Sequence, residues 1–91
     1  MMKYKINDTI LYEKIDGEYI IFDTVTENYL RVNEIGSIIF QEIIANSDCL
    51  KLKERVFCSY EVDKEVLEQD INDFLKELKS NNIIIEVNDE S

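Results

Sequence analysis

The sequence predicts an α+β fold in which a three-stranded antiparallel sheet precedes three helices and a short final strand. Strand-like segments lie within residues 9–33, helical spacing of apolar residues follows, and no proline interrupts either pattern. The predicted order is β-β-β-α-α-α-β, with the helices covering one face of the sheet. A chain of 91 residues has room for one core, so residues 1–91 are expected to form a single domain.

Residues 9–23 are predicted to form a β-hairpin. The segments TILYEKI and EYIIFD are rich in β-branched and aromatic residues, which favour strands. Asp16 and Gly17 between them are typical of a two-residue hairpin turn, because glycine accepts a positive φ. The polar residues 1–8 before the hairpin are expected to be a loose lead-in, with a partial strand at Tyr4 and Ile6 as the alternative.

The third strand, YLRVN, is predicted to lie at an edge of the sheet. Successive strand residues face opposite sides, so Tyr29 and Arg31 share one face and Leu30 and Val32 share the other. Leu30 and Val32 are expected to be buried. Because the chain enters a helix directly afterwards, the outer edge of this strand is expected to stay unpaired.

A turn and a helix cap frame this strand. Residues 25–28 form the turn, in which Asn28 tolerates a left-handed backbone. Asn33 can accept a hydrogen bond from the first turn of the next helix, where Glu34 suits the positive end of the helix dipole. Gly36 in that turn would let another backbone come close.

Three helices are predicted after Asn33. The first carries a broad apolar face, which is typical of a helix buried on more than one side. The second begins near Asp48. The third begins after the N-cap Asp63 and runs to about Ser80, and the segment IIIEV then forms the final strand.

Charge narrows the possible partners, because 20 acidic residues face 10 basic ones, for a net charge of −10. Nucleic acids and anionic membrane surfaces require clustered cations, so neither is expected as a partner. A cationic peptide would be attracted, although acidic residues also serve solubility alone. No apolar run approaches the length of a membrane helix or a signal peptide, so a cytoplasmic location is expected.

No catalytic, metal or cofactor site is predicted. The chain contains no histidine, two glycines far apart and two cysteines. A nucleophile needs a nearby base, and no serine, cysteine, lysine or carboxylate lies in a recognisable motif. Two thiols without other ligands make no zinc site, so Cys49 and Cys58 are expected to be buried, reduced thiols.

The third helix distributes its charges unevenly. On a helical wheel one flank of its apolar stripe is acidic and carries Asp70, Asp73 and Glu77 beside Val66, whereas the lysines lie on the opposite half. One interpretation is a solvated face with chance segregation. The other is a groove wall, bordered by Phe74 of the stripe, that receives a positively charged and partly apolar peptide.

The order and spacing of these segments resemble those of the PqqD family. YLRVNEIGSIIFQEI is similar to the family stretch in which a strand ends in Leu-Asn and runs straight into an apolar helix. YEVDKEVLEQDINDFLKELKSNNII is similar to the Tyr-Asp-Val-Asp joint, the long third helix and the closing segment, and DGEYIIFD fits the hairpin. The resemblance covers roughly residues 9–87. It departs from the family at Asn81 and Asn82, where a glycine is common.

The resemblance implies a winged-helix-like domain of the kind called a RiPP recognition element, where RiPP denotes a ribosomally made, later modified peptide. Such domains bind the leader of a precursor peptide and deliver it to a tailoring enzyme, such as a radical SAM enzyme, a leader peptidase or a cyclase. They serve the pyrroloquinoline quinone, lasso peptide, sactipeptide and related pathways. In the family the leader pairs with the third strand and lies against the third helix. The resemblance therefore implies these peptide-binding residues: Asn28, Tyr29, Leu30, Arg31, Val32, Asn33, Val66, Asp70, Asp73, Phe74 and Glu77.

Other functions share this architecture. A winged-helix nucleic-acid binder would present Lys and Arg on its recognition helix, whereas the third helix here is net acidic. A regulator or protein–protein adaptor would pair the same strand edge with another protein, and the sequence does not separate this function from leader binding. An exposed edge also permits a homodimer through strand pairing.

Overall fold

Two antiparallel sheets accompany three helices in this protein, whose computed structural model describes residues 2–46, 48–60 and 63–88. The elements are β1 (Met2–Ile6), β2 (Ile10–Ile15), β3 (Glu18–Asp23), β4 (Tyr29–Arg31), α1 (Glu34–Ile44), α2 (Cys49–Ser59), α3 (Lys64–Ser80) and β5 (Ile84–Asn88). One sheet has the order β2-β3-β4 and the other pairs β1 with β5. The predicted α+β fold, with three helices after a three-stranded sheet, is confirmed. The joint residues Glu61 and Val62 lie outside the described ranges.

The chain begins with a strand that the sequence did not predict in full. β1 pairs antiparallel with β5, with Met2 opposite Asn88 and Ile6 opposite Ile84. Tyr4 in its middle is buried in the core. The expectation of a loose lead-in is therefore wrong at residues 2–6, and the alternative of a strand at Tyr4 and Ile6 is confirmed. The full length of β1 could not be predicted, because its partner strand lies far away in sequence.

The two turns of the three-stranded sheet differ in how well the sequence predicted them. Asp16 and Gly17 both have positive φ, 51° and 83°, which is the type I′ combination that suits a hairpin. In the turn before β4, Glu27 and not Asn28 has the left-handed backbone, with φ 61°. Asp23 accepts hydrogen bonds from the turn through its side chain and its carbonyl, which closes the turn one residue earlier than predicted.

Each helix begins at a side-chain cap near its predicted start. Asn33, Asp48 and Asp63 each accept a hydrogen bond from a backbone N–H in the first turn of their helix, at 2.8 to 2.9 Å. α3 ends at Ser80, and the left-handed Asn82 (φ 58°) then redirects the chain into β5. Local capping chemistry thus sets the helix boundaries.

One hydrophobic core joins the larger sheet to the helices. Its fully buried side chains include Ile21 of β3, Phe40 of α1, Leu52 of α2, and Ile71 and Leu78 of α3. The apolar stripe predicted on α3 therefore faces this core. Among the described helices, none combines the length and the apolar character that a membrane span requires.

The two cysteines are free thiols. The prediction that they are buried is wrong for Cys58, which is exposed, and only partly right for Cys49, which is half-buried. Cys58 follows the buried Val56 by two positions, which is about 200° around a helix, so its side chain points to solvent.

Candidate functional site

β4 is an edge strand, as predicted. It pairs with β3 on one side, where Leu30 lies opposite Ile21. No second strand pairs with it within the described ranges. The strand is short, and the burial of its side chains alternates. Tyr29 and Arg31 are exposed, whereas Leu30 is half-buried and the following Val32 is buried. The predicted burial is therefore confirmed for Val32 and only in part for Leu30.

The hydrogen bonds of this edge show which backbone groups remain available. The carbonyl of Asn28 accepts a hydrogen bond from β3 at 3.0 Å, and the N–H of Val32 donates to the carbonyl of Tyr19 at 2.9 Å. In an antiparallel pair these inward groups alternate with outward ones. Tyr29 and Arg31 therefore direct their N–H and C=O groups away from β3, toward the open edge.

Ser37 ends the ladder between β3 and β4 where the helix begins. Its Oγ accepts a hydrogen bond from the N–H of Tyr19 at 3.0 Å and donates one to the carbonyl of Val32 at 3.3 Å. The side chain is buried, so both backbone groups are satisfied away from water. This contact and the Asn33 cap hold the end of β4 against the start of α1.

Gly36 lies where α1, α3 and the end of β4 meet. A Cβ at this position would lie 2.4 Å from Cγ1 of Val32 and 3.1 Å from Cζ of Phe74. A close approach was predicted here, but side chains make it, and not another backbone. The missing side chain lets α3 and β4 flank α1 at short range.

Two neighbouring cavities adjoin β4, α1 and α3. The first, of about 380 Å³, lies beside β4 and the end of α3, and the second, of about 330 Å³, lies between the start of α1 and α3. Glu77 lines both cavities, so we treat them as one and name them the β4–α3 groove. The first is lined by Ile21, Asp23, Thr26, Asn28, Tyr29, Leu30, Glu77, Asn81 and Ile83. The second is lined by Asn33, Ile35, Gly36, Ile39, Asp70, Asp73, Phe74 and Glu77.

The groove brings together eight of the residues singled out from the sequence: Asn28, Tyr29, Leu30, Asn33, Asp70, Asp73, Phe74 and Glu77. Three others do not line it. The Arg31 side chain turns to the other face of the sheet, where its Nη2 lies 3.0 Å from Oε1 of Glu18. Val32 is buried beneath β4, and Val66 is exposed on α3 outside both cavities.

Sequence reasoning missed the lining residues from segments other than β4 and α3. Ile35, Gly36 and Ile39 come from α1, whose unusually broad apolar face was the available signal. Thr26 and Ile83 come from a turn and from the entry to β5. No local pattern marks those positions, since only the packing of distant segments brings them to the groove.

The charged side chains that line the groove are all carboxylates. Asp23, Asp70, Asp73 and Glu77 contribute to it, and no Lys or Arg appears among its described lining residues. Asp73 accepts a hydrogen bond from Gln69 at 2.9 Å, and the turn holds Asp23. Within the described ranges no ion pair neutralises these four carboxylates. Carboxylates attract cations, so the groove is suited to basic side chains next to the apolar surface of α1.

The pKa values raised by burial belong to tyrosines that do not line the groove. Burial raises the pKa of Tyr4, and the adjacent Cys49 thiol adds to this effect. Burial also raises the pKa of Tyr19 and of Tyr60. Within the described part of the chain, no three Cys, Asp or Glu side chains are arranged to hold a metal ion.

Comparisons with known proteins give one family and two solved structures of the same fold. The family described as "Coenzyme PQQ synthesis protein D (PqqD)" matches residues 18–84. The solved structure described as "TbiB1 in Complex with the TbiA(beta) Leader Peptide" is similar, with a TM-score of 0.82 and 25% identity over 88% of this chain and 93% of that one. "Lasso peptide synthetase B1 complexed with the leader peptide" shares the fold, with a TM-score of 0.80 and 19% identity over 91% of this chain and 98% of that one. No curated protein matches the chain.

Proposed function

The chain belongs to the PqqD family, and from this membership we propose that it binds the leader of a ribosomally made precursor peptide and presents it to a tailoring enzyme. The observation that carries the proposal is the open edge of β4 beside an acidic groove. Two structures similar to this chain are described as complexes with leader peptides, which supports the same function here.

Strand addition supplies the affinity in this proposal. An extended leader accepts and donates hydrogen bonds at the outward backbone groups of Tyr29 and Arg31 and becomes a fourth strand of the larger sheet. Successive leader residues then face opposite sides, so every second side chain points into the β4–α3 groove. The Asn33 cap and Ser37 keep the edge in place, which reduces the ordering cost of binding.

The groove supplies the selectivity, because backbone pairing alone would accept many sequences. Basic leader side chains are held by Asp70, Asp73 and Glu77, and apolar ones contact Phe74 and Ile35. Phe74 is half-buried, so part of its ring is available to a ligand. We therefore propose a leader with at least one Lys or Arg near an apolar residue.

The chain acts by tethering and performs no chemistry of its own. Holding the leader brings the rest of the precursor to an enzyme at an effective concentration of roughly millimolar for a short linker. The partner enzyme, such as a radical SAM enzyme, a leader peptidase or a cyclase, supplies the reaction. A regulator or adaptor that pairs β4 with another protein is the alternative, and it predicts no leader binding.

The test uses the precursor and the modifying enzyme encoded beside the gene for this chain. Alone, the chain should bind the leader and leave the precursor chemically unchanged. Added to the enzyme, it should increase modification of the full-length precursor and have little effect on a core peptide without a leader. Equal stimulation of both substrates, or absence of leader binding, would contradict the proposed function.

A further inference from the structure

The face of the larger sheet that points away from the helices carries an apolar row. Leu11 on β2 lies opposite Phe22 on β3, which lies opposite Tyr29 on β4. The Phe22 and Tyr29 rings pack with their centroids 4.7 Å apart. We name these three residues the outer row. Together with Ile20 they contribute to a shallow cleft of about 330 Å³.

The outer row is accessible to a partner. Leu11 is 58% exposed and Tyr29 is 74% exposed. Single exposed apolar residues are common, but Leu11 and Tyr29 adjoin the half-buried Phe22 between them, and the three form a continuous patch of the kind that marks interaction sites. Acidic side chains border it, because Glu13 and Glu18 lie on the same face. Arg31, the nearby cation, is paired with Glu18.

Tyr29 connects this face to the β4–α3 groove, since it lines both the groove and the outer cleft. Residues directly opposite each other on paired strands point to the same face of a sheet. A leader strand added to β4 would therefore place one residue opposite Tyr29, and that residue would become the fourth member of the outer row. The patch is thus larger when the leader is bound.

Building on the proposed function, we propose that the outer row is the docking surface for the tailoring enzyme, and that the leader residue opposite Tyr29 completes it. The matching enzyme surface is apolar at its centre and basic at its rim, which complements Glu13, since Glu18 is already paired with Arg31. A second copy of this chain is disfavoured as the occupant, because two chains of net charge −10 would bring like-charged rims together.

This arrangement couples the two binding events. The enzyme contacts more apolar surface on the leader-loaded domain than on the empty one, so it binds the loaded domain more tightly. By thermodynamic linkage the enzyme tightens leader binding by the same factor. The enzyme therefore selects domains that already carry a substrate.

The experiment measures three affinities for the variant Leu11→Ser: for the leader, for the enzyme alone, and for the enzyme with saturating leader. The control is Leu50→Ser, the same change at a residue on α2 that is 63% exposed. Leu11→Ser should bind the leader as the original chain does and should bind the enzyme about tenfold more weakly. Leu50→Ser should match the original chain in all three, and leader should strengthen enzyme binding of the original chain severalfold.

Three results would overturn the proposal. Enzyme affinity unchanged in Leu11→Ser, with leader binding intact, would place the docking surface elsewhere and leave the proposed function standing. Loss of leader binding in Leu11→Ser would show that the outer row binds the leader and not the enzyme. A dimer of the original chain that Leu11→Ser converts to a monomer, seen by sedimentation, would make a second copy the occupant.

Discussion

Val32 at the end of β4 and Gly36 in α1 are so close that a Cβ on Gly36 would lie 2.4 Å from Cγ1 of Val32. No protein tolerates such a distance without a shift of one group. Val32 is 2% exposed and has a branched side chain with restricted rotamers, so it has little freedom to move. The position of β4 relative to α1 therefore depends on a glycine at residue 36.

Gly36→Ala should destabilise the domain. Alanine gains up to about 1 kcal/mol of helix propensity, but overpacking costs about 1–3 kcal/mol, so the net effect should be a loss. Denaturant unfolding measures it. Val32→Ala removes the clashing methyl, so the double variant should lose less stability than the two single variants added together. A Gly36→Ala chain as stable as the original would show that the contact relaxes freely.

Phe74→Ala should weaken leader binding and stability together. Phe74 is half-buried and lines the groove, so its loss should cost less stability than the ~3–5 kcal/mol of a fully buried ring, and leader affinity should fall about tenfold. Ile71→Val is the control, because Ile71 is fully buried on the same helix and lines neither cavity. Titration of leader and thermal unfolding on both variants separates a groove residue from a core residue. Equal affinity of the two variants would assign Phe74 to the core alone.

Arg31→Pro should weaken leader binding by roughly two- to tenfold, because proline removes one outward N–H donor. Arg31→Ala is the matched control and should bind normally, since the Arg31 side chain points to the opposite face from the groove. Lys14→Pro removes an outward N–H from β2, the other edge of the sheet, and should have no effect on the leader. If Lys14→Pro loses affinity and Arg31→Pro keeps it, the leader adds to β2.

Asp70→Lys combined with Asp73→Lys should slow association with a basic leader, most strongly at low salt. Both carboxylates line the groove and are exposed, so the change should have little effect on folding. Glu54→Lys combined with Glu65→Lys makes the same change in net charge at exposed positions outside the groove. Stopped-flow binding at about 50 and about 500 mM salt compares the two. Equal association rates for the two double variants would show that net charge alone, and not its position in the groove, determines the rate.

Stability should fall as the pH rises above about 10, where free tyrosines ionise. Burial raises the pKa of Tyr4, so the folded chain keeps this proton after the unfolded chain has lost it. The unfolded state then binds fewer protons, and unfolding becomes more favourable as the pH increases. Tyr4→Phe keeps the ring without the hydroxyl, so its stability should decline less steeply. Parallel slopes for the two chains, measured by denaturant unfolding at several alkaline pH values, would exclude Tyr4 as a cause.

Much of this fold could be predicted because its boundaries depend on local chemistry. Asp16 and Gly17 specify the hairpin turn, and Asn33 and Asp63 specify helix starts, through interactions within a few residues. The edge position of β4 was predicted because the chain enters a helix directly after this strand. On α3, the wheel separated the carboxylates of the groove from the lysines.

What could not be predicted depends on distant segments. β1 is a strand because β5 pairs with it, and Thr26 and Ile83 line the groove because folding brings their segments beside α3. The wheel placed Val66 on the acidic flank but could not show how far along α3 the groove extends. Arg31 illustrates a further limit, since its backbone faces the open edge while its side chain pairs with Glu18 on the opposite face.

The β1–β5 ladder places residues from the two ends of the chain side by side, with Met2 opposite Asn88. A short peptide linker could therefore join these ends without disturbing either sheet. New ends could be opened at the exposed turn of Asp16 and Gly17, neither of which lines the groove. The resulting circular permutant would carry the recognition groove on a chain that begins in the middle of the hairpin. The order of the strands and helices along the chain could thus change while their arrangement in space stays the same.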